Sequence, residues 1–122
     1  MSAHEISEVR RVVTQYVESY LAADVAALKE VFAEDAVMNG YIGDRLIVGS
    51  PEYFIENVGK SPPIASQAGN PTYDIESVEI RGNAAAVTLH EHAFGGNNFT
   101  DFMHLLKRDG SWKIISKTFS TF

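Results

Sequence analysis

Residues 99–117 read FTDFMHLLKRDGSWKIISK, two apolar-rich runs joined by Asp109-Gly110. Asp-Gly between such runs is the strongest short hairpin signal, because a type I′ turn needs positive φ at both central residues. Upstream, Gly82-Asn83 separates residues 72–81 from 84–94, and Gly95-Gly96-Asn97-Asn98 separates 84–94 from 99–107. With 112–122 as the last run, the C-terminal half reads as a meander of antiparallel strands.

Toward the N-terminus the period changes to that of helices. Ser2-Ala3-His4-Glu5 has the form of a capping box, with Ser2 accepting from a free amide and Glu5 reaching back. Ile6, Val9, Val13, Tyr16, Val17 and Tyr20 follow at three- and four-residue steps. Asp24 caps a second, short helix carrying Val25, Leu28, Val31 and Phe32. Two short strands follow, Ala36 to Tyr41 and Arg45 to Val48, around a Gly43-Asp44 turn. Ser50-Pro51-Glu52 starts a third helix with Tyr53, Phe54, Ile55 and Val58 on its apolar side, which Gly59 can end. Residues 60–71, KSPPIASQAGNP, form a loop or a flap that could serve as a lid.

Phe99-Thr100-Asp101-Phe102, Leu105-Leu106-Lys107, Asp109-Gly110 and Trp112-Lys113-Ile114-Ile115-Ser116-Lys117 resemble the ending of nuclear transport factor 2-like proteins. The branch most similar is the one named putative lumazine-binding, next to the polyketide cyclase-like and ketosteroid isomerase-like groups. The tyrosines of the first helix and the segment from Ala23-Asp24 to Phe32 fit the same layout. This resemblance implies an α+β fold, a cone-shaped curved antiparallel sheet packed against three N-terminal helices, also called cystatin-like. Residues 1–122 are then a single domain enclosing a small-molecule pocket. The superfamily hosts isomerases, dehydratases, cyclases and non-catalytic binders, so fold alone does not choose among them.

Composition narrows the partners. Ten Lys+Arg against sixteen Asp+Glu leave a formal charge of -6, and basic residues cluster in no run longer than a pair such as Arg10-Arg11. Neither nucleic acid nor an anionic membrane is expected as a partner. No apolar run approaches the roughly 20 residues that cross a bilayer, and the N-terminus lacks a signal-peptide layout. With no cysteine, disulfide and thiol chemistry are excluded, and a cytoplasmic location is expected. There is no phosphate-binding glycine loop, HExxH or GxSxG, and no cofactor is expected.

If each turn is tight and each strand unbroken, register follows from the turns. His92 then lies opposite Asp101, His90 opposite Met103, and Asp101 opposite Thr118. One face carries Tyr73, Ile75, His90, His92, Asp101, Met103, Leu105, Trp112 and Ile114. The other carries Val78, Val87, Leu89, Phe102, His104, Leu106, Ile115 and Phe119. Both faces are apolar, whereas helices cover only one. A homodimer through the outer face is therefore expected, with Phe102, Leu106, Ile115 and Phe119 at or near the interface.

On the inner face, His90, His92 and Asp101 make an acid–base set, because a carboxylate can fix an imidazole tautomer and raise its basicity. Such a pair with tyrosines resembles the arrangement of dehydratases in this superfamily. Asp101, His92, His90 and Tyr16 are the candidate catalytic residues. Tyr20, Phe32, Met38, Phe54, Tyr73, Met103 and Trp112 are the candidate pocket lining, and Asn39 or Asp44 can add a polar group at its mouth. The competing reading makes Asp101 a structural hydrogen-bonder and one histidine an exposed edge residue. The two histidines with Asp101 lack a further nitrogen or sulfur ligand, so a metal is not expected. Lys113 and Lys117 read as a solvated or dimer-rim row, and Trp112 as an end-of-cone residue donating to a carbonyl. The expected ligand is a small apolar or aromatic molecule, and the expected chemistry, if any, is cofactor-free isomerisation, dehydration or cyclisation. The alternative is a non-catalytic dimerisation or partner-binding module.

Overall fold

The computed structural model describes residues 2–122. In chain order it contains α1 (Ala3–Ala22), α2 (Val25–Glu30), β1 (Phe32–Ile42), β2 (Arg45–Gly49), α3 (Glu52–Lys60), a 3₁₀ turn at Ile64–Ser66, β3 (Thr72–Arg81), β4 (Ala84–Phe94), β5 (Asn97–Arg108) and β6 (Ser111–Thr121). The strands form one sheet in the order β2-β1-β6-β5-β4-β3. This is the expected α+β layout of N-terminal helices on a curved sheet. The sheet is mixed, however: β1 runs parallel to β6, so the C-terminal meander is completed by a strand from the N-terminal half.

Local chemistry accounts for the ends of the elements. Ser2 Oγ accepts from the Glu5 amide at 3.1 Å, and Asp24 Oδ1 accepts from the Ala27 amide at 3.2 Å, as N-cap residues should. The Glu5 carboxylate does not close a capping box. It accepts instead from Lys107 Nζ at 2.8 Å and from the Trp112 indole N–H at 2.7 Å, tying the start of α1 to the β5–β6 hairpin. Trp112 thus donates to a carboxylate rather than to a carbonyl. Ala23 ends α1 in the left-handed region at φ 56°. Phe32 leaves the second helix and begins β1. Gly59 lies inside α3, and a Cβ there would come within 2.9 Å of the Val25 side chain. Its smallness serves the contact of α3 with α2, and the helix continues past it to Lys60.

Val9, Val13, Tyr16 and Val17 of α1 are fully buried against Leu89, Met103, Leu105 and Ile114 of the sheet, all in one core. Asp109 and Gly110 both have positive φ, 50° and 80°, as the hairpin reading requires. Gly40 shows how tightly β1 meets β6. It faces Phe119, and a Cβ at Gly40 would fall 2.1 Å from the Phe119 carbonyl oxygen and 2.6 Å from its ring. Gly40→Ala is expected to destabilise the protein by about 1–3 kcal/mol through overpacking, measured as a lowered urea midpoint.

Candidate functional site

The sheet carries irregularities that decide which side chains point inward. On β3, Glu76 is an extra residue between the pairs Ile75–Leu89 and Ser77–Thr88. The β4–β5 connection is a two-residue turn, Gly95-Gly96, closed by the pair Phe94–Asn97, instead of the four-residue loop expected. Two residues of difference would preserve the facing. But His92 and Ala93 then stand against Asn98 alone, with Ala93 at φ 62° and its amide bonded to Asn98 Oδ1 at 3.0 Å. This β-bulge shifts the register by one further residue and turns the strand over. Asp101 pairs with Leu89, and His90 with Thr100.

His90 and His92 consequently lie on the outer face, away from Asp101. His90 Nε2 is 2.7 Å from Glu76 Oε1 and its Nδ1 is 3.0 Å from Thr100 Oγ1. His92 Nε2 is 3.9 Å from Asp74, and both rings pack edge-on against Phe122. The expected His–Asp set does not assemble, nor does a metal site built from it. Among the described residues no group of three or more His, Cys, Asp and Glu side chains could hold a metal ion.

A bulge on β6 brings a different residue in. Between the pairs Leu105–Ile114 and His104–Ser116, Ile115 is unpaired, so Lys117 and Phe119 take the inward positions expected of Ser116 and Thr118. Lys117 is 4 % exposed rather than part of a solvated row. Its Nζ donates to the Tyr16 hydroxyl at 2.5 Å and stands 3.9 Å from Asp101 Oδ2. The rings of Phe54, Tyr16 and Phe119 surround it at 4.5, 4.9 and 5.0 Å, a favourable setting for a cation.

Glu91 joins this cluster from β4, two positions beyond Leu89 on the inner face and 1 % exposed. Burial pushes its carboxyl well above the usual carboxylate range. The negative charge of Asp101 adds to the effect, and the Lys117 ammonium only partly opposes it. No N–H or hydroxyl group donates to Glu91 Oε2 or to either Asp101 oxygen, and the proton that Glu91 retains is itself hydrogen-bonded toward Asp101. The Lys117–Asp101 contact is thus an attraction across 3.9 Å without a hydrogen bond. Burial, reinforced by the two acids, also raises the hydroxyls of Tyr16 and Tyr20, keeping both protonated.

Above the cluster opens a cavity of about 460 Å³. Glu91, Lys117, Phe99 and Phe119 line it from the sheet; Tyr20, Met38, Ile47, Phe54 and Val58 supply apolar wall. Arg45, Ser50, Asn57, Ser61 and Gln67 contribute polar lining. Of the expected lining, Tyr20, Met38 and Phe54 border it. Phe32, Met103 and Trp112 are core residues, and Tyr73 sits half-buried with its hydroxyl on Glu18 at 2.9 Å. Tyr16 and Asp101 lie behind Lys117 and do not line the cavity, nor do Asn39 and Asp44. Ser61, Pro62, Ile64 and Gln67 of the 60–71 loop do. Glu91 and Lys117, absent from the expected set, are buried ionisable groups that line it from the sheet.

Comparison with known proteins agrees with this architecture. The model of the family described as putative lumazine-binding matches residues 4–120. A nuclear transport factor 2-like protein of unknown function from Silicibacter pomeroyi superposes with a TM-score of 0.86 at 28% identity, covering 100% of each chain. A second, from Shewanella baltica, gives 0.89 at 25%, covering 100% of this chain and 97% of that one. A ketosteroid isomerase-like protein from Erwinia carotovora gives 0.74 at 18%, covering 99% and 98%, which is a likeness of fold. No curated protein matches the chain. The match over nearly its whole length shows that the chain belongs to the putative lumazine-binding family, within the nuclear transport factor 2-like fold.

Proposed function

We propose that this protein binds a small, largely apolar or aromatic molecule in the cavity and moves a proton on it without a cofactor. The observation that carries this reading is that Glu91 and Lys117, both buried, line the sheet side of one cavity together with the rings of Tyr20, Phe54, Phe99 and Phe119. Glu91 holds a proton that its surroundings make it slow to lose, and Lys117 carries three N–H donors, one of them used by Tyr16. Both groups offer hydrogen bonds, so the buried end of the ligand is an acceptor such as a carbonyl oxygen. A carboxyl whose pKa is raised keeps a proton that it can give to a bound acceptor and retake. Lys117 would stabilise charge developing on the acceptor. Isomerisation, dehydration and cyclisation all reduce to such transfers. Asp101 and Tyr16 serve this reading from behind, by holding Lys117. His90 and His92, on the other face, have no part in it.

Native mass spectrometry of the purified protein, with soaks of aromatic ketones, tests the binding. Phe54→Ala, which opens the wall, is expected to weaken retention of a bound ketone by about tenfold, roughly the effect of a lost aromatic contact. Unchanged binding would place the ligand elsewhere.

The outer face supports a separate proposal, self-association. Phe102, 52 % exposed, stands on it among Thr88, His104 and Thr118. The inward turn of Val87, Leu89 and Phe119 leaves this face less apolar than the turn-based register implied. Phe119, 4 % exposed, is unavailable as an interface residue. Phe102, with the half-buried Leu106 and Ile115, remains as the apolar centre of a homodimer contact. Light scattering on a sizing column is expected to give a dimer for the native chain and a monomer for Phe102→Asp. A native monomer at micromolar concentration removes the proposal.

A further inference from the structure

We propose that Lys117 is a covalent catalyst: its amine condenses with an aldehyde or ketone held in the cavity to form an imine. This inference rests on the ligand cavity proposed above and assigns that cavity a substrate class and a nucleophile. A lysine reacts this way when it is desolvated, accessible to the carbonyl carbon, and served by groups that take and return protons. Each requirement has a residue here. Lys117 is 4 % exposed yet lines the cavity, against the rings of Tyr16, Phe54 and Phe119. The Tyr16 hydroxyl accepts one of its N–H bonds, which fixes the direction of Nζ. Asp101, 3.9 Å away with no N–H or hydroxyl donating to it, is the resident acceptor for a proton. Glu91 lines the same cavity and retains its proton, so it can serve the oxygen of a carbonyl bound there.

The steps balance within this set. The Lys117 ammonium passes one proton to Asp101, and the freed lone pair forms a C–N bond to the carbonyl carbon as the C=O π bond breaks. The carbonyl oxygen takes the Glu91 proton, and the new ammonium returns one to Glu91, leaving a neutral carbinolamine. The nitrogen lone pair then forms C=N while the C–O bond breaks, and the hydroxyl leaves as water with the Glu91 proton. Asp101 finally returns its proton to Glu91. The net change converts one ammonium and one carbonyl into one protonated imine and one water. Charge at the centre is unchanged, so the iminium keeps the Asp101 carboxylate that faced the ammonium. This favours a carbonyl compound whose buried end is neutral, since an anion there would add an unmatched charge to an apolar cavity. An anionic substituent is tolerated only toward Arg45.

The test is reductive trapping of the native protein with 2-naphthaldehyde and sodium cyanoborohydride, followed by peptide mapping. The adduct is expected at Lys117 at least about tenfold faster than at Lys29, Lys60, Lys107 or Lys113, since binding places the reactants together. Glu91→Gln is expected to slow it by roughly 100-fold, the loss of a positioned proton donor. Excess 2-naphthalenemethanol, which cannot form an imine, should suppress it. If that alcohol raises the Tm while adducts form only on the other lysines, the cavity reading stands and the covalent role is overturned. If the alcohol neither binds nor competes and Lys117 is unlabelled, both are overturned. The wild-type peptide map and the wild-type Tm with the alcohol together decide between these outcomes, so the result does not depend on a variant that folds.

Discussion

Lys117→Met is expected to destabilise the protein by about 3–5 kcal/mol, the cost of removing one partner from a buried ionic set. Lys117 faces two carboxyl groups whose solvent has been replaced by aromatic rings, and its Nζ is the donor to the buried Tyr16 hydroxyl. A methionine fills much the same volume but leaves Asp101, 0 % exposed and with no N–H or hydroxyl donating to it, facing no cation. The charge and not the packing is at issue, so the double variant Lys117→Met with Asp101→Asn should recover much of the loss. Urea unfolding of the wild type, both single variants and the double variant makes this a double-mutant cycle. A Lys117→Met variant within about 1 kcal/mol of the wild type would overturn the ionic account of this cluster. Recovery by Asp101→Asn distinguishes a broken ion pair from a cavity, because an asparagine at position 101 cannot refill volume lost at position 117.

How far the sequence led follows from the same bulges. The helices, the Gly82-Asn83 and Asp109-Gly110 turns and most of the sheet were legible because caps, Gly-Asn and Asp-Gly pairs and apolar periodicity are local signals. Tyr73, Ile75, Asp101, Met103, Leu105, Trp112 and Ile114 were all read onto the inner face, and they lie there. The site was less legible because facing depends on the parity of each register, and a single extra residue reverses it. Ala93 in the left-handed region and the unpaired Ile115 are such residues. Neither is a glycine, so nothing in the chain marks them as bulges.

The two resulting misplacements differ in kind. Glu91 could have been found. Ala85, Val87, Leu89 and Glu91 alternate along one strand, and an acid closing an apolar row is itself a sign of a buried polar group. His90 and His92 drew attention because imidazoles are versatile, yet they occupy the complementary positions of that alternation. Lys117 could not be placed without the Ile115 bulge, since simple pairing from Asp109-Gly110 puts Ser116 inside. The parallel β1–β6 pairing was hidden for another reason: it joins segments far apart in the chain, and no local turn encodes it.

Stability is expected to fall as pH rises above the ordinary glutamate range, and Glu91→Gln is expected to abolish that fall. Glu91 carries a folded-state pKa raised well above its usual 4.5, chiefly by burial and next by Asp101. The folded protein therefore binds a proton that the unfolded chain releases. The associated stability is fully present below about 4.5 and is lost as pH climbs toward the folded value, at up to about 1.4 kcal/mol per pH unit. Glutamine keeps the shape and a donor but cannot ionise, which removes the slope. The acid limb belongs to other groups. Glu5, held down by Lys107 and Trp112, and Asp35, held down by Arg108, contribute stability above the ordinary carboxylate range that disappears on acidification. Urea midpoints at pH 3, 4, 5, 6, 7 and 8 for wild type and Glu91→Gln separate the limbs, because only the alkaline one should respond to the substitution. The same titration governs the cavity: once Glu91 ionises, a donor facing the ligand becomes an acceptor. Affinity for a ketone should then decline over the same pH interval as stability. A decline in stability alone would assign Glu91 to the core, and a shared midpoint assigns it to the site.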